Sequence, residues 1–181
     1  MQCFYTNYPV SKRLQLRYIL SSITAVLQQL SRSVGWQPTQ KRPLTTGEKI
    51  LVNSVFQQQI NLELPTICAA RWVFKGYAIS PNGHIYFNPA DYLSDFSKAT
   101  LGKQAWFIHE MTHVWQVQQG IKVIRRAVID RRYQYLLQAG KSFAQYGVEQ
   151  QAQMVQDFFV QRSLGQDCRA LQACLPFFKA N

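Results

Sequence analysis

Apolar and polar positions alternate with helical spacing in four stretches of the chain. The first runs from Ile19 to Leu30 and predicts an amphipathic helix. Basic residues precede it, so a targeting segment is the alternative, although a small-x-small cleavage site is lacking. The second stretch follows Thr45 or Thr46, either of which can cap a helix that carries Glu48 in its first turn.

Two longer helices are predicted in the C-terminal half of the chain. One runs from about Lys103 to Gln118 and ends at Gly120. The other spans about Gly147 to Arg162, with apolar residues recurring every three or four positions. A basic stretch from Lys122 to Arg132 lies between them.

Extended structure is predicted in the middle of the chain. Residues 62–78 are rich in β-branched and aromatic types, which favour strands. After a Pro-Asn-Gly turn, His84 to Phe87 predicts a short strand that Asn88-Pro89 stops. Residues 35–43 contain several breakers and predict a connection. The pattern therefore predicts a mainly helical α+β fold with a small β-sheet, as one domain over residues 1–181.

Composition agrees with a folded domain and adds a strong positive charge. The 181 residues are 47% hydrophobic and 16% charged, which is enough apolar surface for a core. The net charge of +11 attracts acidic partners or envelope surfaces. No nucleic-acid-binding motif accompanies it, so specific nucleic-acid binding is not expected. No apolar run has the length of a transmembrane helix, and Cys168 and Cys174 can form a disulfide or stay free.

The strongest chemical signal is the H-E-x-x-H motif formed by His109, Glu110 and His113 in a predicted helix. Histidines four positions apart lie one above the other on a helix, so both rings can reach one metal ion. Glu110 is rotated from His109 by about 100° and lies beside the metal, where it can deprotonate a water that zinc activates. The motif predicts one Zn²⁺ ion held by both histidines, with Glu110 as general base. The alternative is a core helix with two hydrogen-bonded histidines.

Zinc needs a third protein ligand and an open position for water. Glu149 opens an apolar helix thirty-six residues after His113 and is the predicted third ligand; the alternative is an acid favoured by the helix dipole. Asp157 lies eight positions further along the same helix. It is predicted to accept a hydrogen bond from a ligand imidazole, or else to be a solvated acid. His84 is a candidate substrate contact or an ordinary surface residue.

Hydrolytic zinc sites usually include a donor for the oxyanion that develops during the reaction. Tyr133 and Tyr135 lie between the two long helices and could supply a phenol, but packing against the helices is the interpretation we favour. The short strand Ile85–Phe87 could offer its edge to an extended peptide.

Together these residues resemble a known family. The chain resembles the metallopeptidase domain attached to some valine-glycine-repeat spike proteins of bacterial type VI secretion, and related stand-alone Rhs element Vgr proteins. A more distant similarity is to the HExxH core domain of extracellular contractile injection systems. The resemblance covers about residues 44–160, through the segments Leu44–Glu48, Asn82–Phe87, Phe107–Gln116 and Gly147–Ala152.

The resemblance implies a zincin-like fold in which His109, His113 and Glu149 hold zinc and Glu110 is the catalytic base. It also implies an antibacterial effector that cleaves peptide bonds in the periplasm of a rival bacterium or acts at a host cell. A secretion spike and an immunity protein are the implied partners. Delivery as a separate cargo or within a longer protein is left open, with a cytoplasmic location before delivery.

A rival hypothesis treats the chain as a binding module with a structural metal site. The basic stretch from Lys122 to Arg132 would then dock an acidic partner or an envelope surface. Glu110 argues against this hypothesis, because a structural site needs no base.

Overall fold

The computed structural model describes residues 37–129 and 132–178. The helix predicted from Ile19 to Leu30 lies outside the described residues. The prediction of one domain over residues 1–181 therefore stays a prediction.

The described residues form an α+β structure in which helices predominate, as predicted. Three short 3-10 helices accompany the longer elements, at Phe96–Lys98, Phe143–Gln145 and Pro176–Phe178. The strands are β1 Gln40–Pro43, β2 Thr66–Ala69, β3 Ala78–Ile79 and β4 Ile85–Phe87. The helices are α1 Thr46–Phe56, α2 Leu101–Gln118, α3 Val123–Ile129, α4 Val148–Ser163 and α5 Arg169–Cys174.

The four strands form one sheet in the order β1-β2-β4-β3. Strand β2 pairs antiparallel with β1 and parallel with β4, while β3 pairs antiparallel with β4. Strand β4 is therefore paired on both sides, and the prediction that it offers a free edge is wrong. The edge position on this side of the sheet belongs to β3, whose pairing could not be inferred from its two residues alone.

Two other sequence predictions fail in the middle of the chain. Residues 40–43 form strand β1, because Thr39 starts the pairing with a 2.8 Å hydrogen bond from its N–H to Ala69 O. Pro43 is tolerated because it is the last residue of an edge strand. Residues 71–77 form turns instead of a strand, since Gly76 adopts a positive φ of 80° and donates its N–H to the Asp91 carboxylate.

The buried carboxylate of Glu48 joins three parts of the fold. It accepts the N–H of Thr45 at 2.9 Å, while the Thr45 hydroxyl accepts the Glu48 N–H, which completes a capping box. Arg42 of β1 donates two hydrogen bonds of 2.7 Å to it, and the N–H of Phe96 donates a fourth at 2.8 Å. Glu48 thereby stabilises the start of α1 against β1 and the first 3-10 helix.

Helix α2 crosses the centre of the domain and packs against β4 and α4. Stacked rings continue the core from Phe87 through Phe96 to Phe107, with centroids 4.7 and 5.2 Å apart. Cys168 and Cys174 lie at the two ends of α5 and do not form a disulfide with each other. Within the described ranges no helix is both long and apolar enough to span a membrane.

Candidate metal centre

Helix α2 carries its polar motif in a fully buried position. It starts after Thr100, two residues earlier than predicted, and ends near Gly120, whose positive φ of 76° follows the last turn. Residues 107–116 are all buried, so the helix contacts protein on every side. The polar side chains of the motif therefore require partners inside the protein.

Helix α4 brings Glu149 to the two histidines of α2. The Nε2 atoms of His109 and His113 each lie 3.5 Å from Glu149 Oε2. One ligand atom from each of the three residues lies within 4.8 Å of the others, and the imidazole rings are inclined by 78°. Three donors that converge from two helices could hold a metal ion.

Opposite charges stabilise one another where these three side chains meet. Burial alone would lower the pKa of His113, but attraction to the Glu149 carboxylate outweighs it and raises this pKa to about 9. Burial alone would raise the pKa of Glu149, yet the charge of His113 and hydrogen bonds from both imidazoles hold it well below its ordinary value. A bound cation would replace the proton of His113 beside the carboxylate.

The remaining ring nitrogens of the two histidines have different surroundings. His113 Nδ1 lies 2.8 Å from Gln116 Oε1, one helical turn further along α2. His109 Nδ1 is buried and has no hydrogen-bond partner among residues 37–129 and 132–178. The Gln116 side chain also donates to Val148 O at 3.0 Å and to Gln151 Oε1 at 2.9 Å.

Glu110 is buried next to the histidine pair and is held by a residue from the sheet. Ser80 donates its hydroxyl to Glu110 Oε2 at 2.9 Å, and both side chains are buried. Ser80 directly follows β3, so the edge strand leads to this carboxylate.

Asp157 lies on α4 in a largely buried position, which excludes the solvated acid. Its carboxylate accepts hydrogen bonds from the Tyr135 hydroxyl at 2.8 Å and from Gln153 Nε2 at 2.7 Å. Neither ligand imidazole donates a hydrogen bond to Asp157 in the described structure, in contrast to the prediction. Burial raises the pKa of Asp157 despite both hydrogen bonds.

The two candidate tyrosines have different contacts. The Tyr133 ring stacks on the His109 ring with centroids 6.0 Å apart, and about a third of its surface is exposed. Tyr135 packs edge-to-face against Tyr146 and is hydrogen-bonded to Asp157, which corresponds to the packing interpretation. Gln150 of α4 donates to Gln134 O at 2.6 Å and so anchors the segment that carries both tyrosines.

His84 lies at the start of β4, outside the group formed by His109, His113 and Glu149. Its Nδ1 is 3.0 Å from Thr66 Oγ1 on the neighbouring strand. Burial lowers the pKa of His84, and the charge of Lys41 adds to this. These contacts attach His84 to the sheet just before β4, and its role as a substrate contact stays a prediction.

Ser80, Gln116 and Gln151 were not identified as functional residues from the sequence. A signal existed for Gln116, because it follows His113 by three positions and so lies on the same side of the helix. No local pattern distinguishes Ser80, since serine before a Pro-Asn-Gly turn is common.

Comparison with known proteins identifies the relatives of this chain. No family model matches it. A 134-residue stretch is 37% identical to the type VI secretion system spike protein VgrG2b of Pseudomonas aeruginosa, a match that covers 67% of this chain and 13% of that protein. The solved effector domain of Pseudomonas aeruginosa VgrG2b has a TM-score of 0.70 and 30% identity, over 86% of this chain and 93% of that domain. The chain therefore belongs to the family of the VgrG2b effector domain.

Proposed function

We propose that this chain is a zinc-dependent metallopeptidase with a zincin-like fold and acts as an effector of type VI secretion. The observation that carries the enzymatic part is the convergence of His109, His113 and Glu149 beside the buried carboxylate of Glu110. Homology to the VgrG2b effector domain supports the effector role.

The donor set fits zinc chemically. Two imidazoles and one carboxylate are the ligands of many catalytic zinc sites, which keep one further position open. The two nitrogens and the oxygen face a common point, and the buried His109 Nδ1 and the Gln116-bound His113 Nδ1 leave both Nε2 atoms for the metal. When bound, zinc supplies Lewis acidity that polarises a carbonyl and acidifies water.

Three residues of the chain have separate roles in the proposed peptide hydrolysis. Glu110 accepts a proton from the attacking water at its carboxylate and returns it to the leaving amine. Ser80 orients this carboxylate through the bond to Oε2. Tyr133, which lies over the His109 ring at the exposed side of the centre, is the candidate donor to the oxyanion.

Strand β3 is the proposed place for the substrate peptide. Among the described residues it pairs only with β4, and its end leads to Ser80 beside Glu110. An extended peptide that adds to this edge would bring one of its carbonyl groups close to the metal centre.

The biological setting is proposed from the relatives. As an effector, the protein would be secreted with a spike protein, reach the periplasm of the target cell and there cleave a peptide or protein. The producing cell would need an immunity protein as a second partner. The net charge of +11 favours association with acidic envelope surfaces.

The test compares wild type, Glu110→Ala and the surface control Glu63→Ala, each directed to the bacterial periplasm and also purified. Glu110→Ala should retain zinc, as measured by metal analysis, but lose toxicity and peptide cleavage. Glu63→Ala should behave as wild type, because Glu63 is exposed and pairs only with Lys49 in the described structure. Undiminished cleavage by Glu110→Ala would contradict the role of the base, and zinc binding without any cleavage by wild type would favour the binding module.

A further inference from the structure

Gln116 is a fully buried polar side chain that lies one helical turn after His113. Burying an amide without hydrogen-bond partners is unfavourable, so the hydrogen bonds of Gln116 must account for its position. Its oxygen contacts His113 Nδ1, and its nitrogen donates to Val148 O and to Gln151 Oε1. The side chain thus touches both helices that carry the proposed ligands.

We infer that Gln116 is a positioning residue that orients two of the three metal ligands, His113 directly and Glu149 through the backbone of α4. The inference rests on the proposed metal site. Gln116 would then also keep α2 aligned with α4 at the point where the side chains of the two helices meet.

The orientation of the amide is determined by its two acceptors. Val148 O and Gln151 Oε1 can only accept here, since the nitrogen of Gln151 donates to Tyr146 O. The Gln116 nitrogen must therefore face them, and its oxygen must face His113 Nδ1. An amide oxygen only accepts, so Nδ1 carries a proton and Nε2 is the atom available to the metal.

The same amide controls the start of α4. Val148 directly precedes Glu149, and its carbonyl is held by Gln116 at 3.0 Å. Because Glu149 lies in the first turn, a shift of the Val148 carbonyl would also move the Glu149 carboxylate away from the two imidazoles. Gln151 extends the contact along the first turn to Tyr146 O. All polar atoms of both glutamine side chains that face this interface have partners, which favours one rigid arrangement.

The experiment measures zinc affinity by chelator competition in wild type, Gln116→Met and Gln118→Met. Methionine keeps the length of the side chain but removes both the acceptor and the donor. Gln118 is the matched control, because it lies on the same helix and makes two hydrogen bonds to the backbone of Asn61, away from the metal centre.

We expect Gln116→Met to bind zinc about ten- to a hundred-fold more weakly and Gln118→Met to bind it as wild type does. The visible spectrum of the Co²⁺-loaded Gln116→Met should also change, because the ligand geometry relaxes. If wild type binds zinc and Gln116→Met binds it equally tightly with the same Co²⁺ spectrum, the inference is overturned while the metal site stands. If wild type binds no zinc, the proposed function fails first.

A measurement on the wild-type protein covers the case in which Gln116→Met does not fold, as judged by circular dichroism. In zinc-loaded wild type, the Nδ1 proton of His113 should resonate further downfield than that of His109, since only His113 donates to an amide oxygen. Equal resonance positions for the two protons would overturn the inference.

Discussion

Ser80 and Glu110, thirty positions apart in the chain, form a buried hydrogen bond of 2.9 Å between hydroxyl and carboxylate. It connects the end of edge strand β3 with the middle of helix α2. The orientation of the proposed base therefore depends on the sheet as well as on its own helix.

Replacing Ser80 by alanine tests this dependence. A hydrogen bond to a charged group contributes about 1.5–3 kcal/mol, so Ser80→Ala should lower kcat roughly ten-fold or more. Zinc content and KM should stay close to wild type, because the Ser80 hydroxyl is bonded to Glu110 and to none of the three proposed ligands in the described structure. The control is Ser54→Ala, because the Ser54 hydroxyl donates only to Leu51 O within α1 in the described structure. A loss confined to zinc binding would contradict the orienting role.

The second prediction concerns the hydroxyl of Tyr135, which donates to the buried Asp157 carboxylate. Tyr135→Phe leaves this carboxylate with fewer donors and should lower the free energy of unfolding by about 1–3 kcal/mol in urea denaturation. Tyr86→Phe, which loses only an exposed contact to Asn82, should change it much less. Equal unfolding free energies for wild type and Tyr135→Phe would show that the bond adds nothing to stability.

Removing the metal should make stability depend on pH in a defined direction. In the metal-free protein the pKa of His113 is raised from 6.5 to about 9. Between these two pH values the folded protein keeps a proton on His113 that the unfolded chain has released. The stabilisation from this proton is therefore complete below pH 6.5 and is lost as the pH rises through 9. The lowered pKa of Glu149 contributes stability above pH 4.5 that is lost on acidification.

We therefore expect the melting temperature of chelator-treated protein to fall between pH 6.5 and 9. The zinc-loaded protein and metal-free His113→Gln should show a weaker fall over the same range, because neither holds that proton. Thermal unfolding followed by circular dichroism measures this. A rising melting temperature of the metal-free wild type in this range would refute the ion pair.

The pair of Arg42 and Glu48 provides a prediction about the fold. Arg42→Met leaves the Glu48 carboxylate buried without its cation and should lower the free energy of unfolding by about 3–5 kcal/mol. Lys49→Met removes the partner of the exposed Glu63 and should cost at most about 1 kcal/mol. Urea denaturation of both variants gives the comparison, and equal losses would mean that burial of Glu48 adds no cost.

The helical elements near the site could be predicted from sequence because their signals are local. Hydrogen bonding between positions four apart places His109 and His113 on one side of α2 whatever else surrounds it. The capping pair Thr45 and Glu48 likewise sits within one turn. The start of α4 just before Glu149 was predictable from apolar spacing.

Contacts between distant segments were not predictable in this way. Strand β1 was not predicted, because a proline such as Pro43 is tolerated only in an edge strand. The strand with which β1 pairs ends at Ala69, far along the chain. The Asp157 carboxylate was expected to accept a hydrogen bond from an imidazole. It accepts one from the Tyr135 hydroxyl, which comes from a segment without regular structure. Ser80 carries no local signal at all.

Local sequence signals are enough to identify the reactive groups: two imidazoles and one carboxylate within about one turn of a helix, and a second carboxylate at the start of a later helix. Only packing in three dimensions sets how α4 aligns with α2, which side chain holds Glu110 and which nitrogen of His113 faces Glu149. The two kinds of feature differ in how far apart along the chain the interacting residues lie. Helical periodicity follows from backbone hydrogen bonds a few residues apart, whereas the orientation of a buried polar side chain depends on partners that only packing brings within 3 Å.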